Sequence, residues 1–131
     1  MRDAVRRIGH GRTTSSHELE RVGQGLFKHG WQGVVPRDRI PAAKTGGYLI
    51  CNLQTSQQGG SHWVCRAGSI WHDPLGEPGV AQAMKLRQQL GPVTWTDMDA
   101  EQRESEDNCG QRCIAALMLA KQCGMQAFLL L

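Results

Sequence analysis

The fifteen residues CGQRCIAALMLAKQC at 109–123 are apolar on nearly every side of a helix. Such a helix has to be central and buried, so the rest of the chain must wrap it. A length of 131 residues suits one compact domain with a single core of ordinary size. With 40% hydrophobic and 21% charged residues, the chain has the composition of a folded domain rather than a disordered one.

The wrapping elements are legible in order. Ser15 and Glu18 form an S-x-x-E capping box, and Leu19, Val22 and Leu26 follow at helical spacing. Gly23, Gly25 and Gly30 are expected to fray and end that helix. WQGVVPRDRIP at 31–41 reads as a loop because Pro36 and Pro41 punctuate it. GGYLICNL at 46–53 is a strand whose near-continuous apolar run implies burial on both faces. HWVCR at 62–66 and SIWHD at 69–73 flank Ala67-Gly68 and predict a β-hairpin. Ala83, Leu86 and Leu90 share one face of a helix over 80–90. Gly91-Pro92 breaks it, and VTWT at 93–96 follows as a short strand. The acidic stretch 97–108 is an exposed loop, and the terminal FLLL packs as a strand or helix end. The fold class is therefore α+β, a small mixed sheet packed against helices around the buried one.

Charge and cysteine content narrow the function classes. The net charge of +3 does not by itself argue for nucleic acid, but Arg2, Arg6, Arg7 and Arg12 crowd a flexible basic arm over 1–13. MRDAVRRIGH has no apolar stretch after its charges, so no secretory signal is read there. No run approaches transmembrane length. Five cysteines at 51, 65, 109, 113 and 123 are then expected as free thiols in an intracellular, reducing compartment. Of the aromatic residues, Trp31, Trp63, Trp71 and Trp95 are expected to anchor the core or line a cleft.

Cys109 opens the buried helix, where unpaired N–H groups and the helix dipole favour a thiolate. Gly110 beside it lets a substrate backbone come close. Taken alone, such a cysteine is more often a small buried hydrophobe, and a strand-borne histidine such as His62 is more often structural. Asp73, however, ends the other strand of the same hairpin and can orient His62. Cys109, His62 and Asp73 would then make a thiol–imidazole–carboxylate set. The backbone N–H of Cys109 is one oxyanion donor; Gln102 offers a side-chain amide as another, although on spacing alone it is one more polar loop residue. His62-x-x-Cys65 with Cys109-x-x-x-Cys113 could instead supply four zinc ligands. Against that stands the apolar helix carrying the second pair.

GGSHWV at 59–64, HDPLG at 72–76 and QRESEDNCGQRC at 102–113 together resemble the adenovirus-protease-like cysteine proteases (adenain), including those of virus-like DNA transposons of the Maverick or Polinton type. Gln102 lies seven residues before Cys109, as in that family. Phe27, Gly33, Val34, Arg37, Asp38 and Pro41, followed by ICNL at 50–53, resemble the stretch before its His-Trp motif. The resemblance spans about residues 19–120, in the family's order His, Asp, Gln, Cys. It implies a papain-like fold, His62 as general base, Asp73 as its orienter, Cys109 as nucleophile and Gln102 in the oxyanion hole. Trp63 would pack beside the site and help hold imidazole and substrate.

By the same resemblance the function is that of a cysteine endopeptidase cutting viral or virus-like structural precursors during particle maturation. Its substrates would be capsid or core polypeptides, met in the nucleus or cytoplasm of a host cell and in the virion. Gly59 and Gly60 would line a narrow cleft for small, glycine-containing cleavage sites. No cofactor is required, though an activating peptide or DNA is implied by the family, the DNA meeting the basic arm. No membrane is involved and a monomer is expected. Two other readings stand beside this one: a protease for ubiquitin-like modifiers, and a non-enzymatic virion or zinc-binding interaction protein.

Overall fold

A computed structural model describes residues 15–53, 62–76, 83–97 and 109–131. Helix α1, Ser16–Phe27, starts as its capping box requires, with the Ser15 side chain accepting from the Glu18 N–H at 3.1 Å. It runs on to Phe27 through Gly23 and Gly25, two of the three glycines expected to fray and end it. Gly23 is inside the helix for a reason of space: a Cβ there would lie 2.2 Å from the Trp31 indole. A 3₁₀ turn, Lys28–Gly30, then leads into β1, Trp31–Pro36.

β1 corrects the loop expected over 31–41. The segment is the edge strand of the sheet, which is where a proline is tolerated because its missing N–H faces no partner strand. Glu20 ties it to α1: its carboxylate accepts from Trp31 Nε1 at 2.7 Å and from the Val34 N–H at 2.8 Å. An edge N–H that would otherwise seek another chain is thereby satisfied internally.

Tyr48–Asn52 forms β2, Trp63–Ala67 β3, Ile70–His72 β4 and Thr94–Trp95 β5, in the spatial order β1-β2-β3-β4-β5. β1 runs parallel to β2 and β5 parallel to β4, while β2–β3 and β3–β4 are antiparallel. The predicted hairpin is β3–β4, turning at Gly68 with φ 59°. Strand alternation splits the interior into two cores. Trp63, Cys65, Ala67 and Ile50 face one side, with Leu19 of α1 and the helix α3, Cys109–Cys123. Leu49, Cys51, Val64 and Trp71 face the other, with Leu86 of helix α2, Met84–Leu90. β2 is thus buried on both faces, as its apolar run implied.

Nine of the fifteen residues of α3 are buried, and the helix lies along β3. The C-terminal FLLL belongs to a short helix α4, Met125–Leu129, that buries Phe128. Trp63 and Trp71 are core anchors, whereas Trp31 and Trp95 are half-buried. Arg87 of α2 lies 3.8 Å from the Trp95 ring centroid, and Trp95 packs on Trp71, which docks α2 on the second core. Among the described residues no helix is long and apolar enough to cross a membrane. The basic arm over 1–13 and the acidic stretch over 98–108 lie outside the described residues.

Candidate active site

Three elements converge at one end of the sheet. His62 immediately precedes β3, Asp73 immediately follows β4, and Cys109 is the first residue of α3. The antiparallel register Cys65↔His72 and Ala67↔Ile70 brings the open ends of the hairpin side by side. His62 Nε2 is consequently 3.1 Å from Asp73 Oδ1. The same oxygen accepts the Leu75 N–H at 2.9 Å, so the carboxylate is held from the chain as well as from the ring. Asp73 is fully buried, and the His62 side chain retains 14% exposure.

The Cys109 side chain is close enough to the His62 ring to act on its protonation. Burial, the largest influence on the imidazole, pulls its pKa down. The hydrogen bonds to Asp73 and Cys109, together with their charges, outweigh it and raise the pKa to about 9 from an ordinary 6.5. An imidazole so placed holds a proton between a carboxylate and a sulfur at neutral pH. Arg87 lies within electrostatic reach of the carboxylate: burial lowers its pKa and the Asp73 charge opposes that effect.

The sulfur of Cys109 has a further donor. The backbone N–H of Trp63 points at it from 3.4 Å. Cys109 thus sits at a helix N-terminus with a β3 amide aimed at its sulfur. Reasoning from sequence missed this amide, and a backbone donor leaves no residue-type signal to find.

Trp63 is almost wholly buried, and Gly110 faces inward. A Cβ on Gly110 would stand 2.8 Å from Leu19 Cδ1 and 3.3 Å from Trp63 Cε3. The missing side chain has a reason inside the fold: it lets the start of α3 seat against α1 and β3. Gln102 and Gly60 lie outside the described residues.

The remaining thiols are placed differently. Cys113 donates to the Trp63 carbonyl at 3.5 Å, with the Cys65 side chain close enough to act on its thiol. Burial, aided by Cys65, pushes its pKa well above the usual thiol range. Cys51 is pushed up to about 12 by burial, against the lowering charges of Arg66 and Arg37. None of the five cysteines is in a disulfide, and only Cys123 is exposed. Of the four side chains weighed as zinc ligands, His62 is bonded to Asp73 and Cys113 to the Trp63 carbonyl. Among the described residues no three His, Cys, Asp or Glu side chains are arranged to hold a metal ion. His72 turns to the other face from Asp73, bonded to Thr96 Oγ1 at 2.9 Å and edge-on to Phe128.

No protein-family model matches the chain, and no curated protein matches it at a significant level.

Proposed function

We propose that the chain is a cysteine endopeptidase of papain-like, adenain type, and that it cuts viral or virus-like structural precursor proteins during particle maturation. The observation that carries this reading is the single imidazole of His62, bonded to Asp73 Oδ1 and acted on by the Cys109 side chain beside it. Its chemistry follows from that bridge. With Nε2 committed to the carboxylate, Nδ1 is the nitrogen left to take the Cys109 proton. The sulfur then attacks the scissile carbonyl carbon. The resulting oxyanion is met by the backbone N–H of Cys109 and, by the family resemblance, by the Gln102 amide. His62 returns its proton to the leaving amine, the carbon–nitrogen bond breaks, and a thioester remains. Water activated by neutral His62 releases the second product and restores the thiol.

The role of Asp73 is orientation and charge. It keeps the ring in the tautomer that presents Nδ1 to sulfur and stabilises the imidazolium formed when the thiol ionises. The precursor class comes from the resemblance, and the thiol–imidazole–carboxylate set supports peptide-bond hydrolysis as such.

Limited iodoacetamide labelling at neutral pH, mapped by mass spectrometry, tests the site. Selective alkylation of Cys109 over Cys51, Cys65 and Cys113, lost in His62→Ala, is the expected result. Incubation with a library of glycine-containing peptides should then yield cleavage that prior alkylation abolishes. Equal labelling of all accessible thiols with and without His62 would overturn the assignment.

A further inference from the structure

Below the proposed nucleophile stands a line of thiols. Cys109 Sγ accepts the Trp63 N–H, and Cys113 Sγ donates to the carbonyl of the same residue, so the two cysteines bracket Trp63 from one face of α3. Cys65 on β3 is the next thiol, close enough to Cys113 to act on it. Cys113 and Cys65 are fully buried, while Cys109 retains 3% exposure beside the part-exposed His62. An oxidant arriving at the site therefore reaches Cys109 before either of the others.

We propose that Cys113 is a resolving thiol for Cys109, capturing its peroxide-oxidised form as a Cys109–Cys113 disulfide; the proposal rests on the nucleophile assigned above. The chemistry balances with a hydroperoxide as oxidant. The Cys109 thiolate attacks one peroxide oxygen and the O–O bond breaks. The departing oxygen takes a proton from His62, leaving Cys109 as a sulfenic acid two electrons more oxidised. Burial keeps Cys113 a thiol, so its sulfur attacks the Cys109 sulfur as its proton passes to the departing oxygen; an S–S bond forms and the S–O bond breaks. The hydroxide leaves as water with the Cys113 proton.

Helix geometry allows this link only under strain. Residues four apart on a helix have Cβ atoms about 5–6 Å apart. A disulfide needs about 3.5–4.5 Å. The first turn must tighten by about 1–2 Å, which is feasible because Cys109 is the first residue of α3 and breaks no long run of helical bonds by moving. A bridge made under such strain is readily reduced, the property a reversible guard on a nucleophile requires. Without Cys113, the sulfenic acid would meet further peroxide and pass to the sulfinic acid, which thiol reductants do not reverse.

The test uses the full chain treated with graded hydrogen peroxide, blocked with maleimide and digested with trypsin. Arg112 separates the two cysteines, so the bridge appears as a link between the peptide ending at Arg112 and the one starting at Cys113. The expected wild-type result is that linked pair, abolished by dithiothreitol with return of iodoacetamide labelling at Cys109. Cys113→Ser and Cys113→Ala should keep the untreated labelling at Cys109 yet accumulate its sulfinic acid. Their recovery after reduction should be roughly tenfold lower. Equal over-oxidation of Cys109 in wild type and both variants would overturn the proposal. So would a Cys65–Cys113 link that forms equally well in Cys109→Ser. If Cys109 labels selectively but never links to Cys113, only the resolving role falls. If Cys109 shows no selectivity before peroxide is added, the peptidase reading falls with it.

Discussion

The backbone N–H of Trp63 ends on the sulfur of Cys109, 3.4 Å away and 46 positions along the chain. The strand that follows the proposed base therefore also supplies a donor to the proposed nucleophile. Nucleophile and base are held in one relation by β3, because His62 and Trp63 are adjacent in sequence and cannot drift independently.

Removing the proposed base is the most direct perturbation. His62→Ala leaves the Trp63 amide and the helix terminus in place but takes away the proton acceptor. Peptide hydrolysis is expected to fall by roughly 10²–10⁴-fold, the usual contribution of a positioned acid–base group. In the same variant, alkylation of exposed Cys123 should be unchanged, which makes it an internal control. Cys51, driven up to about 12 by burial, should stay unlabelled in both proteins until they are unfolded.

Asp73 should be visible in the pH profile. His62 sits near 9 with the carboxylate beside it, and Asp73 acts on it through a hydrogen bond and through charge, both in the raising direction. Asp73→Asn removes the charge, so the ring must lose its proton at lower pH. The alkaline limb of hydrolysis or of Cys109 alkylation is expected to move down from about 9, and ring-proton NMR of His62 should shift the same way. Stability follows the same sign. A pKa raised from 6.5 to about 9 stabilises the fold fully below 6.5 and loses that contribution as pH rises through 9. Urea midpoints measured at pH 6 and pH 10 should therefore differ less in Asp73→Asn than in wild type.

How much of this was legible in the chain depends on whether a signal was local. The β3–β4 hairpin was readable because alternation in HWVCR and SIWHD is interrupted only by a short glycine turn. The buried helix was readable because its apolar residues face every direction. β1 was not, since all six of its residues are only half-buried and show no alternation. What makes Trp31–Pro36 a strand is its parallel partner β2 and the carboxylate of Glu20, both remote in sequence. The convergence of His62, Asp73 and Cys109 could be argued from hairpin ends and a helix start. The inward packing of Gly110 on Leu19 could not, because nothing in the sequence says which helix crosses there. The bond from Cys113 to the Trp63 carbonyl was invisible for the same reason.

Two glycines in α1 should respond oppositely to alanine. At Gly25 a Cβ meets nothing within 4 Å, so Gly25→Ala should stabilise the helix by about 0.5–1 kcal/mol through lower backbone entropy in the unfolded chain. At Gly23 it would collide with the rigid Trp31 ring at 2.2 Å. Displacing that ring also pulls Trp31 Nε1 from Glu20. Gly23→Ala should cost about 1–3 kcal/mol or more. Urea unfolding of the two variants checks both signs in one experiment.

Glu20 provides the last and least obvious lever, because it is remote from the site yet controls the sheet edge. Its two oxygens take one indole donor and one strand donor, at 2.7 and 2.8 Å. Glu20→Ala would leave both donors without their acceptor in a half-buried position, at a cost of about 1–3 kcal/mol for each charge-assisted bond that water does not replace. Glu20→Gln keeps one acceptor oxygen and should lose about half as much. The physical consequence reaches beyond stability. Once the Val34 N–H is released, β1 presents an unpaired edge to other chains. Glu20→Ala is therefore expected to lower the unfolding midpoint and also to raise concentration-dependent association. Light scattering across a dilution series reads the second effect separately from the first. A destabilised but strictly monomeric variant would show that the carboxylate contributes to folding alone and does not shield the edge.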